Sequence, residues 1–449
     1  MDFNLAGDFV GKIIFMKNGI LCLAFLALLW RGQAADEKQP VAETATLLSI
    51  NAVVSEVLNN NPALRAASAR LEAMEARVPQ ERAWDDPRVG VDVERSRTGF
   101  ATYNDTEWMA SQTIPLTGKN ILRGRAASAE AFAAYAELRQ VELELTARAR
   151  AAYFRFANAY AQLEVNRRND LLLKQFSEVS RAKYEFGTRN QADIFIAESD
   201  LAKNLEARID LERQLSDEQS RLNVLMNRPA QSPLGRPANE ALQHFNFDLV
   251  KAQTLALENR PELLNARKKF EAAQSRQTLA KRSWIPDPEI RVEARQFNGT
   301  GKGLSEYDTG IFFSFPWFNR GKYKGAIREA EKNQESAEYE MTALQTETLG
   351  LVRDQLKKIE TFHHHYELFR DKLVPLAQQS VQSHQIAYEG NKGGFLELII
   401  AQRTVQDVET ILPQHLADYQ IALAELEMIV GVPLYQIALQ PMEVHSEKK

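Results

Sequence analysis

Residues 288–297, PEIRVEARQF, alternate in polarity with a period of two. The charged members are Glu289, Arg291, Glu293 and Arg295, and the apolar members between them are Ile290, Val292 and Ala294. This alternation predicts a β-strand with one charged face and one apolar face. Most of the chain is rich in Ala, Leu, Glu and Arg, which favour helices. The strand therefore needs an explanation within a mainly helical protein.

Three further segments have strand character. The sequence predicts strands at about 88–96, 107–114, 289–297 and 307–315. In the first segment Val89, Val91 and Val93 oppose Gly90, Asp92 and Glu94. In the last segment one face carries Tyr307, Thr309, Ile311, Phe313 and Phe315, and Phe312 is the apolar exception on the other face. The segment 107–114 alternates poorly, so its strand is predicted mainly from its position.

These strands have about the nine-residue length of a tilted strand that crosses a membrane. An apolar face toward lipid and a charged face toward a water-filled lumen would explain the alternation. The predicted lumen-facing charges are Asp92, Glu94, Glu289, Arg291, Glu293 and Arg295. A half-buried soluble sheet also alternates in this way, but the sequence predicts no second sheet that could cover the apolar face. The pattern favours part of a membrane barrel.

Four strands are too few to close a barrel, because bacterial barrels have about eight or more strands, in even numbers. Two chains would supply eight strands and three chains would supply twelve. A wide conduit favours three. The sequence therefore predicts an oligomer in which several chains share one barrel.

The chain contains the same structural unit twice, which is evidence for an internal duplication. The matched landmarks are Pro62 with Pro261, Asp86-Pro87 with Asp287-Pro288, Pro115 with Pro316, Tyr184-Glu185 with Tyr388-Glu389, and Pro229 with Pro433. The spacing between partners rises from 199 to 204 residues along the chain, and we attribute this drift to loops of different length. Each unit is predicted to contain a helix of about nine or ten turns, a two-stranded hairpin, a very long helix, a sharp turn and a returning helix.

The two very long helices are expected from Gly118 to about Phe186 and from Lys322 to about Ala387. At about 1.5 Å per residue, the first would be about 100 Å long. Its apolar positions recur at steps of three or four residues, at Leu138, Val141, Leu145, Ala149, Ala152, Phe156, Ala159 and Leu163. This is the seam of a helix packed lengthwise against its neighbours.

The only long apolar run, residues 20–30, is shorter than the roughly 20 residues of a membrane-spanning helix. It is typical of a signal peptide, with cleavage expected near Ala34 or Ala35. The only cysteine, Cys22, follows Leu21, which is not small, so no lipid anchor is predicted there. The predicted organisation is a signal peptide at 1–35, with 1–15 an artefact of an upstream start codon, a first repeat at 36–228, a Pro-rich linker at 229–246, a second repeat at 247–435, and a polar tail at 436–449.

Composition excludes several functions. The net charge is −5 and both signs are interspersed, which argues against a nucleic-acid surface. We find no catalytic arrangement of Ser, His, Asp or Cys and no Gly-rich phosphate loop, so we predict neither enzymatic activity nor a cofactor. Residues 363–365 are three consecutive histidines, but successive helical residues point about 100° apart and cannot converge on one metal ion. No metal site is predicted, and His363 is expected to pack on the apolar seam.

The signal peptide, the duplicated unit and the turn sequence YEFG together resemble the TolC-type outer-membrane efflux factors, over about residues 42–435. The stretches RAWDDPRVGVDVE and FPWFNRGKYKGAIREAE are similar to those of the heavy-metal cation branch, the CzcC and CusC type. The resemblance implies a homotrimer with a twelve-stranded outer-membrane barrel and a periplasmic helical tunnel. It also implies docking to a periplasmic adaptor and a proton-driven inner-membrane pump of the RND type, and a passive conduit for export.

The two sharp turns share a backbone requirement. Gly187 ends the first long helix, and its repeat partner is Asn391; both residue types tolerate a left-handed conformation. The resemblance implies that these turns, at Gly187, Thr188, Arg189, Asn391, Lys392 and Gly393, form the periplasmic tip. It further implies that Asp193 and Glu397 line the tunnel entrance. An alternative for these two acids is stabilisation of helix N-termini.

Two other functions share some of these features. A periplasmic adaptor is also rich in helical hairpins, but it would require a lipoyl-like β-domain that the sequence does not show. A coiled-coil scaffold would share the helical seam, but it would leave the strands and the signal peptide unexplained.

Overall fold

The computed structural model describes residues 47–98, 101–238, 244–296, 304 and 306–439. The predicted signal peptide, Cys22 and the last ten residues of the predicted tail lie outside these residues, as does most of the loop between the second pair of strands. No helix in the described part of the chain is both long enough and apolar enough to cross a membrane.

The described chain is mainly α-helical and contains a four-stranded sheet. The helices are α1 (Ile50–Asn60), α2 (Pro62–Arg82), α3 (Lys119–Glu185), α4 (Gln191–Leu225), α5 (Leu249–Asn259), α6 (Pro261–Arg282), α7 (Arg320–Leu368), α8 (Val374–Glu389), α9 (Phe395–Val430) and α10 (Leu434–Ile437). The strands are β1 (Arg88–Thr98), β2 (Ala101–Thr113), β3 (Asn246–Phe247), β4 (Pro288–Gln296), β5 (Glu306–Phe313) and β6 (Ala438–Leu439). A 3₁₀ turn spans Pro316–Asn319, and a π-helical turn spans Phe369–Leu373.

The first helix of each repeat is divided in two, so the prediction of one continuous helix of nine or ten turns is wrong. Asn61 separates α1 from α2 with φ −69° and ψ 125°, and Arg260 separates α5 from α6 with φ −60° and ψ 121°. Each precedes a proline, whose ring disfavours the helical conformation of the residue before it. The Asn61 carboxamide then accepts a hydrogen bond of 2.9 Å from the amide of Ala63 and caps α2.

Helix α3 is unbroken over 67 residues and packs against α2, α4, α6 and α9. Six of the eight predicted seam residues are buried, and Leu138 and Val141 are half-buried. The seam is wide because α3 lies inside the helical layer and buries residues on several faces. Gly124 illustrates the close approach of α2: a β-carbon at this position would lie 3.1 Å from the β-carbon of Arg82.

The second long helix is not continuous, contrary to prediction. Between α7 and α8 the chain makes the π-helical turn at 369–373, which inserts one extra residue into a helix. Pro375 follows at the start of α8, and it lacks the N–H that an α-helix would require there.

This inserted residue explains part of the drift between the repeats. In the hairpins the repeat spacing is 201 residues. Arg88 pairs with Ser111 in the first repeat, and the residues 201 positions further on, Glu289 and Phe312, pair with each other in the second. In the long helices it is 203, since the buried residues Leu145, Ala149, Ala152 and Phe156 of α3 correspond to the buried Thr348, Val352, Gln355 and Ile359 of α7. After the π-helical turn it becomes 204. The last step is thus a helical insertion rather than a difference between loops.

The large sheet has the strand order β1-β2-β4-β5, and every neighbouring pair is antiparallel. Strand β2 begins at Ala101, six residues before the predicted 107, and β5 ends at Phe313 rather than at 315. The outer edges of β1 and β5 pair with no other strand within the described residues.

The chain at the start of the folded part of each repeat pairs with the chain that follows the same repeat. Leu48 bridges to Pro237, and β3 pairs with β6. Ile437 and Ala438 are buried in this arrangement. Residues 436–439 therefore belong to the folded body rather than to a polar tail, because the apolar side chains of this segment complete the core under α5 and α9.

Candidate functional site

The four-stranded sheet separates charged from apolar side chains across its whole width. Residues paired side by side share a face, and one row across the sheet reads Asp92, Glu107, Arg295 and Glu306. The adjacent row on the opposite face reads Val91, Trp108, Ala294 and Tyr307. All six predicted lumen-facing charges fall on the first face, together with Glu107, which the poor alternation of its segment had concealed.

The charged face carries its own ion pairs. Arg295 lies 2.9 Å from the carboxylate of Glu107, and Arg291 lies 3.4 Å from Glu289 and 3.5 Å from Glu293. These contacts run along and between strands, so the charged side chains partly neutralise one another while they stay accessible to water. Side-chain exposure of these residues lies between 24% and 39%.

Phe312 interrupts the charged face, and the structure explains why it is tolerated there. The guanidinium of Arg291 lies 4.2 Å from the centre of its ring, within the range of a cation–π interaction. A β-carbon on Gly310 would lie 2.8 Å from the same ring. The glycine thus leaves room for the ring beneath the arginine.

The opposite face is apolar except for Arg95 near the end of β1, and it is open. Val89 is 80% exposed, Ile311 is 63% exposed and Val292 is 46% exposed. No element in the described part of the chain covers this face. A contiguous apolar surface of this kind marks contact with lipid or with another protein.

The two predicted tip turns have closely similar backbones. Gly187 has φ +68° and Asn391 has φ +58°. In each turn the residue that follows donates a hydrogen bond back into the last helical turn, from Thr188 to the carbonyl of Lys183 at 3.0 Å and from Lys392 to that of Ala387 at 2.8 Å. Both are helix terminations of the Schellman type.

The two turns are held together by cations of the first repeat. The Lys183 ammonium donates to the carbonyl of Tyr388 at 2.8 Å and to the side-chain oxygen of Asn391 at 2.8 Å. The Arg189 guanidinium donates to the carbonyl of Gly393 at 2.5 Å. The bond from Lys183 satisfies a carbonyl group at the end of α8, and the bond from Arg189 satisfies one in the turn that follows, so the first turn caps the second. Sequence reasoning missed Lys183, since its role depends on a contact with the other repeat.

Tyr388 lies at the centre of the tip and is 1% exposed. The Lys183 ammonium lies 4.9 Å from the centre of its ring, and the Arg189 guanidinium lies 5.1 Å from the same point. Its hydroxyl is 3.4 Å from a carboxylate oxygen of Asp193. Burial raises the pKa of the Tyr388 hydroxyl, which keeps it a hydrogen-bond donor. Its repeat partner, Tyr184, is 44% exposed, so the two repeats use this position differently.

The two predicted entrance acids both lie in the first turn of a helix, α4 for Asp193 and α9 for Glu397. The Glu397 carboxylate accepts a hydrogen bond of 3.2 Å from the amide of Gly394, as a helix-capping residue does. Glu397 is exposed, whereas Asp193 is half-buried beside Tyr388.

A layer of buried amide side chains lies along α3, α4 and α9. Asn169 donates to Gln406 at 2.7 Å and to Asn204 at 3.0 Å, and it accepts from Gln402 at 2.8 Å. Asn166 donates to the Asn204 side chain at 2.9 Å. Asn166 and Asn169 continue the seam three residues apart after Leu163, and polar residues on an apolar seam were the signal that could have found this layer.

A family profile decides the identity. The outer membrane efflux protein family matches residues 53–228 and 253–432. The chain belongs to this family. The two matched ranges fall inside the two predicted repeats, and the predicted family and the function as an outer-membrane channel component of an efflux system are confirmed.

Individual relatives share this architecture. The chain is 24% identical over 388 residues to the cobalt-zinc-cadmium resistance protein CzcC of Cupriavidus metallidurans. The matched region spans 81% of this chain and 85% of the relative. The solved structure of CusC is similar with a TM-score of 0.76 at 17% identity, over 85% of this chain and 92% of that one. The outer membrane protein VceC of Vibrio cholerae is similar with a TM-score of 0.74 at 17% identity, over 86% of this chain and 96% of that one. The predicted fold class of long helices with a membrane-type sheet is confirmed.

In this efflux protein the consecutive histidines diverge, as expected for a helix. His363 is half-buried, its ring packs 5.3 Å from that of Tyr419, and its Nε2 lies 2.9 Å from Nδ1 of His244. His364 and His365 are exposed. Within the described residues no group of three or more His, Cys, Asp or Glu side chains could hold a metal ion.

Proposed function

We propose that this chain assembles as a homotrimer and forms a passive conduit through which an efflux system exports its cargo from the periplasm to the exterior. The observation that carries the proposal is the sheet, which has two open edges, a continuous apolar face and an ion-paired charged face. An open edge and an exposed apolar face are both unfavourable in water. Closure with other copies in a membrane removes both.

Three chains would give twelve strands, which is within the range of bacterial barrels. The charged face would then line a lumen. The helices would continue the conduit into the periplasm, with the turns at 187–189 and 391–393 at its tip.

The proposed partners are a periplasmic adaptor at the tip and an inner-membrane pump of the RND type. Support comes from the family and from the turns themselves, which place Thr188 and Lys392 at the end of the helical hairpins. The conduit needs no cofactor in this proposal, because the pump supplies the energy.

Heavy-metal cations are the proposed cargo class. One support is the relative whose name refers to cobalt, zinc and cadmium resistance. A second support is the charge of the face of the sheet that would line the lumen, where acidic residues outnumber basic residues. Its described acidic residues are Asp92, Glu94, Asp105, Glu107, Glu289, Glu293, Glu306 and Asp308, and its basic residues are Arg88, Arg291 and Arg295. Rings of carboxylates favour cations in a pore.

We further propose export through a signal peptide at 1–35, outer-membrane localisation of the mature chain, and no acylation at Cys22. Mass measurement of the purified mature chain tests the cleavage site and the absence of a lipid.

The conduit is tested with the full-length mature protein purified in detergent. Native mass measurement is expected to give three chains, and planar bilayers are expected to show ion-conducting pores with cation preference. A stable monomer without conductance would overturn the proposal. A trimer with pores that prefer anions would retain the conduit and overturn the cation cargo.

A further inference from the structure

The first histidine of the run at 363–365 belongs to a pair that the run itself does not reveal. His363 meets His244, which lies 119 positions earlier, just before β3. Nδ1 of His244 and Nε2 of His363 are 2.9 Å apart. Two imidazole nitrogens at this distance either share a proton in a hydrogen bond or bind the same metal ion.

The orientation of the two rings separates these possibilities. The ring centres are 4.4 Å apart, and the ring planes are tilted by 46°. A straight hydrogen bond of this length would place the ring centres about 5.2 Å apart, because each centre lies about 1.1 Å behind its nitrogen. The observed rings are closer, so both lean toward a point beside the line that joins the two nitrogens.

This arrangement matches two ligands at a right angle on one ion. With metal–nitrogen distances of about 2.0 Å, a right angle places the nitrogens about 2.8 Å apart and the ring centres about 4.5 Å apart. A tetrahedral angle would require about 3.3 Å between the nitrogens and about 5.1 Å between the ring centres. The distances of 2.9 Å and 4.4 Å agree with the right angle.

The next turn of α7 prepares His363 as a ligand. Its Nδ1 lies 3.5 Å from a carboxylate oxygen of Glu367. Histidines that bind metals usually donate their second ring N–H to a carboxylate or a carbonyl, which leaves the lone pair on the other nitrogen. Here the other nitrogen is Nε2, the atom that faces His244.

Tyr419 of α9 holds both histidines in place. It is fully buried, and its ring packs 5.3 Å from that of His363. It also makes a hydrogen bond with the backbone of Phe245, directly after His244, and β3 then pairs with β6. Both ligands therefore lie on anchored backbone, as a preorganised site requires.

The remaining coordination positions are open to solvent. His244 is exposed, and both histidines line a groove of about 720 Å³, which has room for water ligands. The other charged residues that line this groove balance one another, so the groove does not repel a cation; they are Arg353, Asp354, Lys357 and Glu360.

We propose that His244 and His363 bind one divalent transition-metal ion of the Cu²⁺ or Ni²⁺ class, with water in the open positions. Imidazole nitrogen suits these ions, and a right angle between ligands is found in square-planar and tetragonal sites. The ion clamps the segment before β3 onto α7. The inference does not depend on the proposed conduit, because both ligands belong to one chain and lie outside the four-stranded sheet.

Copper binding tests the site in the full-length mature protein, purified in detergent without a histidine tag. Equilibrium dialysis against Cu²⁺ at pH 7.5 should give one tightly bound ion per chain, and its electron paramagnetic resonance spectrum should be tetragonal with two imidazole nitrogens. His244→Ala should weaken this binding by about tenfold or more. The matched control is His364→Ala, because His364 is exposed on the same helix and points about 100° away from His363.

Two further variants separate binding from folding. His363→Gln keeps a hydrogen-bonding group toward His244 but removes the imidazole, so it should lose the tight ion while its metal-free melting temperature stays close to that of the unmodified protein. Glu367→Gln should weaken copper binding about tenfold, and its spectrum should still show two imidazole nitrogens. Excess Cu²⁺ should raise the melting temperature of the unmodified protein and of His364→Ala, but not that of His244→Ala.

The outcomes are read against the same samples. Loss of the tight ion in His244→Ala and in His363→Gln, with retention in His364→Ala, supports the site. A tight ion that persists in His244→Ala, is lost equally in His364→Ala, or is absent from the unmodified protein would overturn it and leave the pair as a hydrogen bond. Trimer mass and conductance are measured separately, so failure of the metal site is distinguished from failure of the conduit.

Discussion

The side-chain ammonium of Lys183 lies 2.8 Å from the main-chain carbonyl oxygen of Tyr388. A residue of the first repeat therefore caps the last turn of α8 in the second repeat. A hydrogen bond to a charged group contributes about 1.5–3 kcal/mol. We therefore expect Lys183→Met to loosen the turn after α8, and hydrogen exchange at the amides of Lys392 and Gly393 to accelerate about tenfold or more. Lys174→Met is the control, because Lys174 pairs only with Asp170 one turn away on α3. Equal exchange in both variants would show that Lys183 does not hold the tip.

The entrance acids can be tested without removing a helix cap. Asp193→Asn and Glu397→Gln remove the charge but keep an oxygen that can accept a hydrogen bond, as Gln does in a capping box. If the trimer brings up to six carboxylates together, the double variant should lose cation preference and block by divalent cations in planar bilayers. Thermal stability should change little. Unchanged selectivity would show that the acids act only as helix-terminal residues.

The sequence was sufficient for those features that depend on local periodicity. The seam from Leu145 to Leu163 predicted α3 because a helical period of 3.6 is visible within one segment. Charged and apolar alternation predicted β4 for the same reason. Asn61 and Arg260, each before a proline, contained the signal for the divided helices, and this signal was overlooked.

Other features were not local. The cap that Lys183 provides depends on a residue 205 positions away, and no period in the sequence reports such a contact. The π-helical turn at 369–373 was visible only as a one-residue change in repeat spacing, which a loop could equally explain. For the buried amide layer around Asn169, the position of the asparagines on the α3 seam indicates burial, but their partners on two other helices are visible only in the structure.

The two faces of β4 should respond differently to the same substitution. Val292 is 46% exposed on the apolar face, and Glu293 lies 3.5 Å from Arg291 on the charged face. Val292→Arg should destabilise the barrel by about 2–4 kcal/mol near the bilayer midplane. Glu293→Arg should preserve folding and alter only conduction. Trimer yield and urea unfolding in lipid vesicles measure the first effect, and equal damage from both substitutions would contradict the assignment of the faces.

The histidines between α7 and α9 should make stability depend on pH. Burial lowers the pKa of His415 and the pKa of His363 below the ordinary value of 6.5. The ring of His415 packs 4.6 Å from that of Phe369 in the π-helical turn and 5.3 Å from that of His365. A folded-state pKa below that of the unfolded chain means that the unfolded chain binds protons more readily. This contribution to stability is fully present above about pH 6.5 and is lost as the pH falls toward the lowered folded-state pKa.

We therefore expect the detergent-solubilised trimer to melt at a lower temperature at pH 5.5 than at pH 7.5. His415→Phe keeps a flat ring beside Phe369 but cannot be protonated, so the difference between the two melting temperatures should shrink. His384→Phe, on α8 and outside this pair of rings, is the control and should retain the full difference. The readout is the melting temperature of each variant at both pH values in the same buffer. If His415→Phe loses as much stability on acidification as the unmodified protein, protonation of His415 is not the cause.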